Sequence, residues 1–145
     1  MLMEKTFFEI KEIAETEPVY SIPGVTFMAA LSDRSGNVLH IVPGQGYRYY
    51  AKPGYKILTN FSPFKGNFQK HPWMGWDRYK KAEEMLKNAD DGFDVNDCFS
   101  VLRAGSQEVC PTVVSMVYDA SENTVYWCVN RQWNEIKSAV LAEEK

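Results

Sequence analysis

The chain has 145 residues, with 16 basic side chains against 19 acidic ones and a net charge of -3. That length suits a single domain over residues 1–145 with a core of its own. The acidic balance and the lack of any basic run exclude a general affinity for nucleic acid or an anionic membrane surface, and no apolar stretch approaches the roughly 20 residues of a membrane span.

Thr6-Phe-Phe-Glu9 has the spacing of a capping box, with a hydroxyl at the cap and a carboxylate three residues on. Phe7, Ile10 and Ala14 then recur on one helical face, and Pro18 closes the helix. Val25 to Leu31 is a nearly continuous apolar run, as expected of a strand covered on both faces. Asp33-Arg-Ser-Gly-Asn37 reads as a turn and Val38 to Val42 as the returning strand. Third and fourth strands are expected at Tyr47–Tyr50 and Tyr55–Leu58, on either side of Lys52-Pro-Gly54. Residues 61–75, broken by Pro and Gly, read as a surface loop.

From Trp76 the pattern turns helical. Tyr79, Ala82 and Leu86 share one face, with Lys80, Lys81, Glu83, Glu84 and Lys87 toward solvent. Asp94 caps a further helix whose apolar stripe is Val95, Cys98 and Leu102, with Gly105 near its end. Val113 to Tyr118 and Thr124 to Val129 form a hairpin across Ala120-Ser-Glu-Asn123. The tail from Ser138 reads as a short, mildly helical piece.

Helix, strands, two helices and strands again make an α+β protein with a mainly antiparallel sheet and helices on one face. The strands are apolar enough for two covered faces, and the helices cover one. Roughly six short strands are few for two good sheets. The other face therefore needs a partner, either a missing half or a second copy, since an uncovered apolar face of several hundred Å² is unusual for a monomer.

Cys98, Cys110 and Cys128 are an odd count without metal-ligand spacing, so they read as free thiols, and no metal or cofactor is expected. The first residues carry acid and no signal-peptide pattern, which places the chain in the cytoplasm. Ser115 reads as a small residue filling a strand slot, and His40, in an alternating strand, as structural. Gly44-Gln-Gly46 is too short for a phosphate loop. Tyr47, Tyr49, Tyr50 and Tyr55 read as cross-strand packing rather than base stacking. A self-contained nucleophile would have to be Cys98 or Cys110 paired with His71, and Cys110, in a loop before Pro111, is the better of the two.

Lys56-Ile-Leu-Thr-Asn-Phe61 is a short apolar run ending in Thr59-Asn60. It follows the hairpin Phe27 to Val42 and precedes Arg78-Tyr79 on a helix, Thr112-Val-Val-Ser-Met-Val-Tyr-Asp119 in a strand and the aromatic Tyr126-Trp127. In order and spacing this resembles the C-terminal half of the N-terminal-nucleophile amide hydrolases, the acyltransferase, choloylglycine hydrolase and linear-amide hydrolase group. The resemblance runs from about Thr6 to Trp133. It implies an αββα sandwich in which an N-terminal cysteine thiol attacks an amide carbonyl and its α-amine, titrating near ~8, serves as base. It further implies that Asn60 lies near the nucleophile and helps bind the oxyanion, and that Arg78 holds the site together or meets a substrate carboxylate.

The chain itself begins Met1-Leu2-Met3 and has no cysteine before Cys98. Three readings follow. In the first, this is the C-terminal portion or subunit of an amide hydrolase or acyltransferase acting on non-peptide amides, inactive alone and completed by another polypeptide. In the second, it is a stand-alone, non-catalytic relative that self-associates through an exposed sheet face. The third is an unrelated α+β enzyme using Cys110 or His71.

Overall fold

Helix α1, Phe7–Thr16, starts where the sequence places its cap. Glu9 N–H donates to the Thr6 hydroxyl at 3.3 Å, and the Glu9 carboxylate accepts from Thr6 N–H at 2.7 Å. Two of the helix's orphan donors are thereby satisfied. The helix ends at Thr16, two residues before Pro18, with Glu17 N–H closing on the Ile13 carbonyl at 2.8 Å. The structure, a computed structural model, describes residues 5–20, 23, 27–51, 54–64 and 75–142. It divides into two compact units, residues 1–74 and 75–145. Within the described residues it is α+β, with three helices and two antiparallel three-stranded sheets. No helix among them is long and apolar enough to cross a membrane.

The first unit carries β1 (Ala29–Ser32), β2 (Val38–Val42) and β3 (Gly46–Tyr50), paired antiparallel in chain order. The β1–β2 turn is built by Asp33. Its carboxylate accepts from the N–H groups of Ser35 and Asn37, both at 2.9 Å, and from the Asn37 carboxamide at 2.7 Å, while Gly36 takes φ +80°. This is an Asx turn that reinforces the backbone's own closing bonds, Gly36 N–H to the Asp33 carbonyl and Asp33 N–H to the Asn37 carbonyl, both at 3.1 Å. The Asn37 carboxamide oxygen in turn accepts from the Tyr49 hydroxyl at 3.1 Å, so the turn is tied to β3.

Strand β2 is central and buried on both faces, with Leu39 and Val42 almost inaccessible and His40 beside them. Leu39 stands opposite Leu31 and Tyr49, on the face that α1 covers through Phe7 and Lys11, both against the Tyr49 ring. His40 stands opposite Ala30 and Arg48 on the other face. The expectation of strands covered on both faces holds for β2. It does not hold for β1, an edge strand alternating between half-buried and exposed; the start of its expected run, residues 25–26, lies outside the described residues. The expected strand at Tyr55–Leu58 is not formed. Residues 55–59 make no ladder, and their segment folds over the His40 face instead, with Lys56 over the Tyr50 ring and Phe64 against Arg48. Side-chain packing there replaces backbone pairing.

The second unit holds α2 (Trp76–Lys87), α3 (Val95–Ala104), β4 (Val114–Asp119), β5 (Thr124–Val129) and β6 (Lys137–Val140). Asp94 caps α3 in a second capping box with Asp97, its carboxylate accepting from Asn96 N–H at 2.7 Å and Asp97 N–H at 3.0 Å. Phe99 is the buried side chain of α3, next to the expected stripe of Val95, Cys98 and Leu102. α3 packs on β4, and α2 on α3.

The tail is not helical. Residues Lys137–Val140 pair antiparallel with β5, from Thr124↔Val140 to Trp127↔Lys137. So short a tail cannot repay helix nucleation, whereas β5 offers it a full row of ladder partners. Asn123, at φ +48°, clamps the end: its carboxamide and its carbonyl both bond Leu141 at 2.8 Å.

Alternation divides this sheet sharply. Ser115, Thr124 and Cys128 point inward and are buried. Val114, Met116 and Tyr118 point outward and are 51%, 57% and 48% exposed, in register with Val129, Trp127 and Val125. α3 packs on β4, and the outward row of Val114, Met116 and Tyr118 is left exposed.

Leu39→Ala would open a cavity between β2 and its neighbours and is expected to lower stability by about 2–5 kcal/mol. Val114→Ala, on the bare face, should change it little, and denaturant titration of both variants separates the two effects.

Candidate functional site

The segment from Tyr55 to Phe64 sets the geometry of the predicted site. Phe61 is buried, at 7% exposure. The Ser62 hydroxyl donates to the Gln45 side chain in the β2–β3 turn and accepts from Phe64 N–H. Both anchors lie just C-terminal to Asn60. Asn60 itself is exposed, and its carboxamide makes no hydrogen bond to any described residue. Two free N–H donors are thus presented to solvent from an anchored backbone. Thr59, one residue earlier, has a buried hydroxyl with no hydrogen-bond partner.

Beneath this segment lies His40, 2% exposed, its ring edge-on to Tyr50 at 5.2 Å between centroids. Neither ring nitrogen has a hydrogen-bond partner. Burial first, then the Lys56 ammonium and the Arg48 guanidinium, push the imidazole pKa below its ordinary value, so His40 is neutral at neutral pH. A neutral imidazole still carries one N–H donor, and leaving it buried and unbonded costs about 1–3 kcal/mol. Enclosed in this way, His40 packs the sheet and has no open route to a reacting group.

Arg78 is the third residue of α2, half-buried, with no ion pair to Asp77 or any other described residue. Next to it on the helix, the Trp76 and Tyr79 rings stack at 5.4 Å and 13°. Asn60 belongs to the first unit and Arg78 to the second.

The three thiols lie in different settings. Burial, followed by Asp97, Asp94 and Asp119, pushes the Cys98 thiol up, away from the thiolate that attacks. Cys128 is buried in β5, and Cys110 is exposed at φ +57° before Pro111. His71, the expected partner of either reactive cysteine, lies outside the described residues. Ser115 fills an inward slot of β4, as its sequence position implies. No group of His, Cys, Asp and Glu able to hold a metal ion occurs among the described residues.

Two concavities escaped the sequence reading. One, of about 530 Å³, opens between the end of α1 and the β2–β3 turn, walled by Pro18, Val19, Tyr20, Ile41 and Tyr47. The other, of about 220 Å³, lies where α3 ends and β5 turns out of its sheet, with Arg103, Arg131 and Trp133 in its wall. Each joins residues too distant in sequence for any spacing rule. The one local signal was Asn130, a residue type that tolerates the left-handed region at a strand end.

Set against family models, curated proteins and solved structures, the chain matches none.

Unfolded His40 takes up a proton near its ordinary value of about 6.5, whereas folded His40 holds out to lower pH. Its contribution to stability is therefore complete above pH ~6.5 and lost as pH falls through the lowered folded pKa. Denaturation midpoints between pH 7 and 5 should fall for the parent chain, and fall less steeply for His40→Phe. Equal slopes would mean that His40 titrates normally in the folded chain.

Proposed function

We propose that the chain is the C-terminal portion of an N-terminal-nucleophile amide hydrolase or acyltransferase acting on non-peptide amides. The observation that carries the reading is Asn60: its backbone is anchored by buried Phe61 and by the Ser62–Gln45 bond, while its carboxamide is left free. An oxyanion donor needs an N–H that is not already bonded elsewhere, carried on a backbone with a fixed position. A carboxamide that already had a partner would be spent.

The bare outer face of β4, β5 and β6 supports the same reading. A face carrying Val114, Met116, Tyr118 and Trp127 suits packing against a second sheet in an αββα sandwich. In the completed protein an N-terminal thiol attacks the amide carbonyl. Its α-amine takes the thiol proton and returns it to the leaving nitrogen. Asn60 donates N–H to the oxyanion, and Arg78 offers its fork to a carboxylate of the substrate or of the site. No cofactor takes part.

The same bare face also favours a second reading, a non-catalytic module that self-associates through it. Sedimentation separates the two: a homodimer that Met116→Glu dissociates, with no amide cleavage in any combination, belongs to the module.

The enzymatic reading is tested by mixing the chain with the N-terminal-cysteine half of a protein of this family and assaying a panel of simple amides. Turnover is expected only in the mixture. Asn60→Ala should lower kcat by about 10²–10³, with thermal stability unchanged because the side chain is exposed. Undiminished turnover in Asn60→Ala would refute the oxyanion role.

A further inference from the structure

We propose that the concavity formed by the end of α3 and the turn after β5 binds the carboxylate of a small organic acid, gripped between Arg103 and Arg131. The inference does not depend on the amide-hydrolase reading, because the whole site lies within the second unit and its test reads binding, not turnover.

Arg103 occupies the last turn of α3, and Arg131 the turn that leaves β5. Gln132, Trp133, Asn134 and Glu135 complete the wall. Neither arginine has an ion-pair partner among the described residues. Arg131 makes one long bond, from Nη1 to the Gln107 carbonyl at 3.4 Å, which leaves most of its five donors unused. Two unpaired guanidinium groups on one small concavity are the arrangement that grips a planar oxyanion through paired N–H bonds.

The backbone holds Arg131 there at a cost. Asn130 and Arg131 sit at φ +49° and +60°, with Gln132 N–H closing on the Val129 carbonyl at 2.9 Å and Asn130 N–H on the Val113 carbonyl at 2.7 Å. Asn tolerates the left-handed region. Arg131 follows Asn130 as the second central residue of the Val129–Gln132 turn, whose positive φ at both central positions is that of a type I′ turn, so the turn itself fixes where the Arg131 side chain leaves the backbone.

Size and charge narrow the ligand. At about 220 Å³ the concavity is smaller than the pockets that take drug-sized or nucleotide ligands. Glu135 in the wall penalises a dianion more than a monoanion. A singly charged carboxylate fits that balance better than phosphate, and the Trp133 ring offers an apolar surface to the rest of a small acid.

The test titrates the intact chain with benzoate, propionate and inorganic phosphate, following the amide and indole NMR signals of residues 131–135. Saturable shifts are expected with the carboxylates, and weaker ones with phosphate. Arg103→Met should weaken carboxylate binding on the order of tenfold, and Glu135→Gln should strengthen it. Arg131→Gly removes the fork and relieves the positive φ together, so binding should fall while the thermal midpoint holds or rises; a stability loss without a binding loss would make Arg131 purely structural. Absence of saturation with either carboxylate, a preference for phosphate, or an Arg103→Met chain that titrates like the parent would overturn the proposal.

Discussion

Among the described residues, three helices cannot cover four sheet faces. Each of the two antiparallel sheets has two sides, and an apolar side must be covered or left facing water. In the first unit α1 takes one face, and the chain's own segment around Lys56 to Phe64 takes the other. In the second, α3 takes the inner face, and Val114, Met116 and Tyr118 are left outside. Most of what is distinctive about this molecule follows from that shortage of cover.

It explains His40. Folding residues 54–64 over the sheet buries an imidazole that a solvated face would have left wet, and sets Arg48 and Lys56 beside it with no carboxylate in the group of charges acting on it. The ring survives as a neutral, unbonded spacer edge-on to Tyr50. The same covering segment needs an apolar anchor, Phe61, and a tether, Ser62 to Gln45. Asn60 lies next to both and comes out free. The covering of a sheet face and the presentation of a donor are thus one structural event.

Much of this was legible locally. Both capping boxes, the Asp33 turn and the β4–β5 hairpin follow from side chains within a few residues of each other. Asn60 stood out only through the resemblance of Thr59-Asn60 to the Thr-Asn position of the amide hydrolases; local spacing alone reads it as a turn former. The failures share another cause. Tyr55–Leu58 has strand composition yet finds no ladder, and the tail from Ser138, weakly helical by itself, becomes β6 because β5 was open beside it. Composition states what a segment tolerates, while pairing depends on which neighbour arrives.

The sequence by itself determined the caps, the turns, the order of elements and the alternation along β4, because these rest on contacts three or four residues apart and on the two-residue period of a strand. Only the tertiary structure decided which face of each sheet is covered, that His40 is enclosed without a partner, and that Arg103 and Arg131 converge on one concavity across 28 positions of chain. Those outcomes depend on which distant segments meet. Nothing in local spacing encodes that, because the free energy deciding it is released only when the apolar faces pack.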